Sequence, residues 1–258
     1  MAAAEKDNQS VQIIDRTFQI LEYVSKNGRV GLKDIYTHLG VNKASVFRIV
    51  YALCSNGYLN KDELSGDYTL SYKCYEVGIN AVRNIDYIAF IRETLDTLSK
   101  NYDVISQYSI DDHNELLCLE SYDSSSSNFS IYTRVLYRTP LYATSAGKAI
   151  LSTYTDEQIA EKWKSMNVRV FTPNTITNLD DLMKDIYQIR QRGYATDKEE
   201  TSLGLFCIGV PLLDSSRKAI GAISLSSNQM DDAKEASLYR ALSAQTQRLS
   251  YMLSINSR

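Results

Sequence analysis

Two short amphipathic helices separated by a glycine are predicted between residues 32 and 53. Gly40 permits a left-handed turn between them, and Asn42 is a favourable N-cap for the second helix. Apolar side chains recur at three- and four-residue spacing, so each helix has one face to bury. These side chains are Ile35, Leu39, Val46, Ile49, Val50 and Leu53. The outward-facing residues of the second helix are then Lys43, Ala44, Ser45, Phe47, Arg48 and Tyr51. This pattern is typical of a helix-turn-helix whose second helix lies in the major groove of DNA.

The residues on both sides of this pair complete a small domain. Upstream, residues 11–24 predict a further helix. Its predicted buried stripe is Ile14, Phe18, Leu21 and Val24. Downstream, the β-like runs 57–61 and 67–70 are joined by a turn-rich segment, which predicts a hairpin. Three helices followed by a hairpin indicate a winged helix-turn-helix.

Positive charge is concentrated in this part of the chain. Residues 26–48 contain five lysines or arginines and one acidic residue, whereas the whole chain has a formal net charge of −3. A protein of that charge has no general attraction for a polyphosphate, so any DNA binding depends on a focused basic patch. The alternative is that these basic side chains are simply the solvated face of the helices.

The rest of the chain predicts helices and strand pairs. Helices are expected at residues 88–101, 143–154, 155–166, 179–192 and 232–253. Strands are expected at residues 104–110, 116–122, 129–137, 205–213 and 219–226. Because the strands come mainly as hairpins, with turns at 111–114 and 214–218, we expect an antiparallel sheet bracketed by helices, which is an α+β fold.

The helix predicted to begin near Ala143 has an N-terminus suited to an anion. Its sequence, ATSAGKAILSTY, starts with small and hydroxyl-bearing residues, so the first backbone N–H groups are accessible at the positive end of the helix dipole. The pair Gly147-Lys148 resembles part of a phosphate-binding P-loop, but Tyr142 and Ala149 stand where that motif requires glycine and Ser or Thr. A P-loop is therefore excluded. The alternative to an anion site is an ordinary capped helix in which Gly147 allows close packing.

Composition argues against several other classes of protein. The sequence has no run near the ~20 consecutive apolar residues of a membrane span, and its first ten residues lack the apolar core of a signal peptide. We therefore expect a cytoplasmic protein that does not enter a membrane. The four cysteines are scattered without a CxxC pair, and the only histidines are His38 and His113. Neither a disulfide framework nor a metal site is expected, and no cofactor is implied.

Three segments together resemble the IclR family of bacterial transcriptional regulators. The first combines the opening helix with GVNKASVFRIVYAL, the hairpin sequence GYLNKDELSGDYTL and the following YEVG. The second is PLYATSAGKAIL, and the third is RGYATDKEETSLGLFCIGVPLLDSSRKAIGAISLS. They occur in the order found in the family and extend the resemblance over essentially the whole chain.

The resemblance implies a winged helix-turn-helix joined by a linker helix to a GAF-like effector-binding domain, and it implies no catalysis. On this chain the three parts would be residues 1–72, 73–86 and 87–258. The resemblance also implies a homodimer formed through the DNA-binding domains, which often pairs again into a homotetramer. The expected partners are a palindromic operator in double-stranded DNA and a small organic acid that acts as the effector.

Candidate residues can be assigned to both sites. We expect the DNA contacts to come from Arg29, Lys33, Lys43, Ala44, Ser45, Phe47, Arg48 and Lys61. Arg48 and Lys43 suit phosphate or base contacts, and Ser45 and Phe47 suit a base edge or a thymine methyl group. By position, the resemblance assigns the effector pocket to Ser145, Ala146, Gly147, Asp197, Leu205, Cys207, Ser224 and Ser226. A helix N-terminus with hydroxyl groups suits a small carboxylate, while Leu205 covers its apolar end.

Some assignments have structural alternatives. Asp197 serves equally well as a cap or turn residue, and Cys207 in an apolar strand serves as a small packed hydrophobe. Tyr36 occupies a position that usually holds a small residue, which affects how the two helices cross. The predicted wing is acidic as well, so the sequence does not decide whether the wing contacts the DNA backbone. Its charged residues are Lys61, Asp62, Glu63 and Asp67.

These features predict a repressor or activator whose DNA binding is gated by a ligand. The effector would favour one arrangement of the paired subunits through its differential affinity for the two arrangements, and so change the spacing of the reading helices. The alternative is a cysteine-dependent enzyme or a thiol-based redox sensor using Cys118 or Cys207. It is disfavoured because nucleophilic cysteine chemistry needs a nearby base, and the chain has two histidines.

Overall fold

The structure, a computed structural model, describes residues 2–83, 87–124 and 135–256, with side chains for residues 12–80, 87–124 and 135–253. The chain divides into two compact units, residues 1–85 and 86–258. Each unit has a hydrophobic core of its own.

Helices and a small hairpin make up the described part of the first unit. In chain order these elements are α1 (Ala2–Asn27), α2 (Leu32–Leu39), α3 (Lys43–Ser55), β1 (Leu59–Lys61), β2 (Tyr68–Leu70) and α4 (Tyr72–Arg83). The strands β1 and β2 pair antiparallel. Gly40 ends α2 with a left-handed φ of 63°, as the sequence predicts. The winged helix-turn-helix is therefore confirmed.

One core joins the three helices and the hairpin of this unit. Ile20 of α1, Ile35 of α2 and Val50 of α3 are at most 1% exposed, and they pack in one cluster with Tyr68 of β2. Tyr36 is half-buried against the same cluster. The large side chain at that position is thus accommodated as part of the α2–α3 packing.

The face that α1 buries differs from the predicted stripe. Val24 is buried and Leu21 is half-buried, but Ile14 and Phe18 are 55% and 58% exposed. The prediction is therefore wrong over the first half of the helix. The reason is that α1 carries apolar residues on two faces, and the core of its own unit covers the face that contains Ile20.

The second unit is an α+β domain, as predicted. Its described elements are α5 (Ile88–Tyr102), β3 (Ile105–Asp112), β4 (Glu115–Asp123), β5 (Arg138–Pro140), α6 (Ser145–Leu151), α7 (Asp156–Ser165), α8 (Leu179–Arg192), β6 (Ala195–Lys198), β7 (Phe206–Leu213), β8 (Ala219–Ser227) and α9 (Asp232–Asn256). The strands form one sheet in the order β5-β4-β3-β8-β7-β6, and each neighbouring pair is antiparallel.

Two strands differ from the sequence prediction. The strand β6 is not predicted because it is a four-residue edge strand that carries the buried polar side chains of Thr196 and Asp197 instead of an apolar alternation. Most of the strand predicted at 129–137 lies outside the described residues, and β5 begins only at Arg138. The predicted β3–β4 hairpin is present, with both turn residues, His113 and Asn114, at positive φ.

The sheet lies between α5 and α6. Successive residues of a strand point to opposite faces. On β3, the Ser106 hydroxyl donates to the Leu95 carbonyl of α5, whereas Gln107 and Ser109 face a pocket that the start of α6 also lines. Among the described residues, no helix has the length and apolar character needed to span a membrane.

Two glycines let α6 approach its neighbours closely. A Cβ added to Gly147 would lie 2.3 Å from the Leu141 carbonyl oxygen, and one added to Gly209 of β7 would lie 2.7 Å from the Ser145 carbonyl oxygen. Any larger side chain at either position would collide with backbone atoms. The N-terminus of α6 is therefore held against the sheet.

Candidate functional site

The outer face of α3 is the candidate DNA-reading surface. The Asn42 side chain caps this helix by accepting from the Ser45 N–H at 2.9 Å. With one face of α3 buried in the core, the opposite stripe is exposed. This stripe consists of Ala44, Phe47, Arg48 and Tyr51. The Phe47 and Tyr51 rings stack with centroids 6.4 Å apart, so the stripe presents a flat apolar patch beside a guanidinium group.

The other predicted DNA contacts are distributed around this stripe. Lys43 at the start of α3 and Lys33 on α2 are exposed, as is Lys61 at the end of β1. Ser45 is half-buried and lines a groove with Arg16 of α1. Arg48 lines the same groove, so Ser45 lies at the edge of the stripe that faces α1.

Arg29 is held at the base of the wing. Its guanidinium lies 2.6 Å from Asp62, whose carboxylate also accepts the N–H groups of Leu64 and Ser65. These hydrogen bonds, led by the one from Ser65, lower the pKa of Asp62 to about 2. One wing acid is thus paired with one of the predicted DNA-contacting cations, and Arg29 is less available than Arg48 or Lys43.

The predicted effector residues come together in one pocket of the second unit. Of the eight, seven line it: Ser145, Ala146, Asp197, Leu205, Cys207, Ser224 and Ser226. Gly147 is the exception, since it faces the Leu141 backbone and has the close-packing role that was its alternative assignment. The free volume of this pocket is about 60 Å³.

Sequence reasoning did not place several other residues in this pocket. They are Gln107, Ser109, Leu116, Cys118, Tyr137, Thr139, Thr144 and Thr201. A signal was available for Gln107 and Ser109, which are polar residues two positions apart in a strand and so point to the same face. For Thr201 no local signal exists, because it lies in the connection between β6 and β7.

The start of α6 offers polar groups to the pocket. Thr144 is the N-cap and accepts from the Gly147 N–H at 3.2 Å, so that N–H is already used. Ser145 and Ala146 follow in the first turn and line the pocket. Backbone N–H groups at these two positions have no acceptor within the helix, and they lie at the positive end of its dipole.

Asp197 has both of the roles considered for it. Its carboxylate accepts the Glu200 N–H at 2.7 Å and the Thr201 hydroxyl at 2.8 Å, which is a turn-capping arrangement. It also lines the pocket while being 1% exposed. Burial raises the pKa of this carboxyl group above its ordinary value, so Asp197 takes up a proton more readily than an exposed aspartate does.

A buried ion cluster lies next to Asp197. Lys148 of α6 is 1% exposed, and its ammonium group lies 2.7 Å from Asp185 and 2.5 Å from Glu200. Among the described residues, the second carboxylate oxygen of Glu200 is buried without a hydrogen-bond partner. Burial raises the pKa of Glu200 to about 7 despite the opposing effect of Lys148, so this carboxyl group changes charge near neutral pH.

The two cysteines of the pocket are not activated thiols. Burial raises the pKa of Cys118 to about 11, and burial also raises the pKa of Cys207 well above that of a free thiol. Cys207 accepts a hydrogen bond from the Ser226 hydroxyl at 3.1 Å. Both side chains are therefore neutral at physiological pH, where a thiol-based nucleophile requires the thiolate.

Comparison with known proteins agrees with this arrangement. The family model for the IclR helix-turn-helix domain matches residues 13–63, and the model for the C-terminal part of the bacterial transcriptional regulator IclR matches residues 79–251. The HTH-type transcriptional regulator KdgR of Escherichia coli strain K12 is 28% identical over 228 residues, which cover 88% of this chain and 86% of KdgR.

Solved structures with the same fold extend over nearly the full length. The IclR protein of Thermotoga maritima has a TM-score of 0.78 at 24% identity, covering 94% of this chain and 99% of its own. An IclR homolog from Microbacterium hydrocarbonoxydans, complexed with 4-hydroxybenzoate, has a TM-score of 0.75 at 19% identity, covering 93% of this chain and 99% of its own. The chain belongs to the IclR family of transcriptional regulators, with a DNA-binding helix-turn-helix and a C-terminal ligand-binding domain.

Proposed function

We propose that this regulator binds a palindromic operator through the exposed stripe of α3, and that a small carboxylate in the pocket of its second unit controls that binding. The observation that carries the proposal is the convergence of seven predicted effector residues on a single pocket. They come from three separate stretches of the sequence, and the fold brings them together around the start of α6.

The chemistry of the pocket supports a carboxylate. The hydroxyl-bearing residues Ser145 and Ser224 line the same pocket as the first turn of α6, so oxygen atoms of a ligand have hydroxyl and backbone N–H donors within one pocket. Burial raises the pKa of Asp197, which weakens the repulsion between its carboxyl group and an acid in the same pocket. The Microbacterium homolog, whose fold is the same, is complexed with an aromatic acid.

The exposed apolar face of α1 supports a homodimer. Ile13, Ile14 and Phe18 are 52%, 55% and 58% exposed in the single chain. Such a group on one helix face is costly in water, and a second copy of the same face would cover it. A dimer formed in this way carries two reading helices related by a two-fold axis, which matches a palindromic site. A further pairing into tetramers remains a prediction of the family resemblance, and a cytoplasmic location remains a prediction of the sequence composition.

The proposal is tested with the full-length protein and DNA. Selection from random duplexes should yield a site with two-fold symmetry, and fluorescence anisotropy should then give its Kd with random competitor present. Organic acids that raise the melting temperature of the protein should change that Kd. If no duplex is enriched, DNA recognition fails. If a site is found but no acid changes its Kd, only the effector part fails.

The redox-sensor alternative makes a different prediction. If Cys118 or Cys207 were the sensing group, mild peroxide would produce a sulfenic acid or disulfide that mass spectrometry detects together with a change in DNA affinity. Both thiols have raised pKa values, so we expect no such adduct under conditions in which the protein stays folded.

A further inference from the structure

The effector pocket shares part of its wall with a larger outer compartment. This compartment has a free volume of about 330 Å³, and it shares Tyr137, Thr139 and Thr201 with the inner pocket. Thr201 marks the junction most clearly, because its hydroxyl donates to Asp197 of the inner pocket while its side chain also lines the outer space. A ligand anchored inside that extends past this threonine would enter the outer compartment.

The inner pocket alone is too small for most organic acids. A cavity needs at least ~10–15 Å³ of free volume to hold one water molecule, so about 60 Å³ holds only a few water-sized groups. This is enough for a carboxylate and the carbon next to it. The remaining atoms of a longer acid would have to lie in the outer compartment.

Arg169 gives the outer compartment a guanidinium group without a carboxylate partner in the described part of the chain. Among the described residues, no carboxylate oxygen lies within 4.0 Å of its guanidinium, although the side chain lines the compartment. With the Asn167 amide turned so that its oxygen faces the guanidinium, that oxygen lies 2.8 Å from a terminal nitrogen. An amide orients the group but does not neutralise it. The guanidinium is therefore available to an anion.

The backbone of Arg169 is fixed with respect to the pocket. The hydroxyl of the buried Tyr142 accepts the Arg169 N–H at 2.7 Å and donates to the Arg169 carbonyl oxygen at 3.0 Å. Tyr142 lies three residues before Ser145, which lines the inner pocket. The outer cation is thus tied to the segment that forms the inner anion-binding end.

The second arginine of the compartment is already compensated. Arg138 forms a hydrogen-bonded ion pair with Asp112 and lies 3.6 Å from Glu115. Because these two carboxylates already engage its guanidinium, Arg138 is not free to pair with an anionic ligand. The recognition of a distal anionic group falls to Arg169.

Resting on the proposed function, we infer that the effector is an elongated acid with two anionic ends, such as a dicarboxylate. One carboxylate lies in the inner pocket at the start of α6, and the second pairs with the Arg169 guanidinium in the outer compartment. Guanidinium groups bind carboxylates with two parallel hydrogen bonds, so the second end adds geometric selectivity as well as charge.

The test compares acids that differ only at the distal end. Isothermal titration of the full-length protein at pH 7.5 with succinate, glutarate, adipate and pimelate is set against butyrate, pentanoate, hexanoate and heptanoate. We expect at least one dicarboxylate to bind about three- to tenfold more tightly than the monoacid of equal length. Arg169→Gln should weaken binding of that dicarboxylate by about the same factor and so remove this preference.

Arg240→Gln is the matched control, because Arg240 is an exposed arginine of α9 that does not line either compartment. It should keep the wild-type preference. The inference is overturned if no dicarboxylate binds more tightly than its monoacid, or if the preference survives in Arg169→Gln. Binding of monoacids without any dicarboxylate preference would leave the proposed function standing and remove this inference alone. If no acid of either series binds, this inference is overturned, and the wider screen of organic acids by melting temperature decides the effector part of the proposed function separately.

Discussion

Lys148 is a buried cation whose removal should be costly. Its ammonium group is 1% exposed and is the described positive charge nearest to Asp185 and Glu200, at 2.7 and 2.5 Å. Removing one partner of a buried ion pair leaves the other charge without compensation, which costs about 3–5 kcal/mol. We therefore expect Lys148→Met to lower the free energy of unfolding by that amount, measured by urea titration with circular dichroism.

Lys184→Met is the control for this substitution. Lys184 pairs with Asp181 one helical turn away, but both side chains are more than half exposed. An exposed pair of this kind contributes little because water and salt screen it. The control variant should unfold within experimental error of the wild type. A Lys148→Met variant as stable as the control would contradict the role given to the cluster.

Glu200 should make stability depend on pH near neutrality. Its pKa is raised by burial from an ordinary value of 4.5 to about 7, so the folded state holds the proton more tightly than the unfolded state. The stability that this group contributes is complete below pH ~4.5 and is lost as the pH rises to about 7. We expect Glu200→Gln to flatten the fall in unfolding free energy between pH 5 and pH 7.5.

Titratable neighbours on the packed elements enter this titration. Glu200 is faced by Lys148 of α6, Asp185 of α8, Asp197 of β6 and Cys207 of β7. Glu161→Gln, at an exposed position of α7, serves as the control and should retain the wild-type slope. An equally steep slope in Glu200→Gln would show that another group carries the dependence.

At the scale of elements, two helical glycines allow a matched comparison. A Cβ at Gly147 of α6 would lie 2.3 Å from the Leu141 carbonyl oxygen, whereas a Cβ at Gly78 of α4 meets nothing within 4 Å. We expect Gly147→Ala to destabilise the protein by about 1–3 kcal/mol through overpacking. Gly78→Ala should stabilise it by about 0.5–1 kcal/mol, since alanine is the better helix former. Thermal unfolding distinguishes the two, and similar effects of both would refute the packing argument.

The exposed apolar stripe of α3 should read thymine methyl groups. Phe47 is 51% exposed and stacked on Tyr51, which leaves a ring face for the major groove. Replacing thymine by deoxyuridine removes the 5-methyl group and keeps the hydrogen bonds of the base. One buried methyl contributes about 0.8 kcal/mol, so the wild type should lose about fourfold in affinity at such a position.

Phe47→Ala supplies the control for the modified operators. Because the variant lacks the ring that covers the methyl group, it should bind thymine and deoxyuridine duplexes with equal affinity. Fluorescence anisotropy measures all four combinations. If the wild type is insensitive to deoxyuridine at every position of the selected site, Phe47 does not read a methyl group.

How far the sequence predicts the elements depends on how simple their patterns are. The α2–α3 pair and the β3–β4 hairpin follow from regular spacing and from Gly40, His113 and Asn114, which accept positive φ. The strand β6 does not follow, because its burial belongs to a polar pocket and not to an apolar face. The stripe on α1 fails for another reason. Periodicity identifies apolar faces but does not say which face the fold covers.

Most residues of the pocket are predicted by the family resemblance and not by the spacing of residue types along the chain. Spacing alone indicates a capped helix near Ser145 and leaves Asp197 and Cys207 with structural alternatives. These residues lie close together because β6, β7 and β8 pair with one another, and no local sequence pattern specifies that pairing. Arg169 was not predicted at all, since it lies in an irregular segment and reaches the outer compartment through the hydrogen bonds of its backbone to Tyr142.

At the scale of the whole molecule, a net charge of −3 makes DNA binding depend on a few cations. Each phosphate contact contributes about 0.9 to the slope of log K against log salt. We expect Arg48→Ala to weaken operator binding and to reduce this slope by about 0.9 for each subunit of the complex. Arg240→Ala in the second unit should leave the slope unchanged. An unaltered slope in Arg48→Ala would remove Arg48 from the phosphate contacts.

The packing of Trp163 on Tyr142 has a practical consequence. Trp163 is the single tryptophan of the sequence, and its ring meets Tyr142 edge-on with centroids 5.6 Å apart. The same tyrosine holds the Arg169 backbone through its hydroxyl group. The fluorophore is therefore two contacts away from the guanidinium, and its emission is a native, label-free signal for what enters the outer compartment.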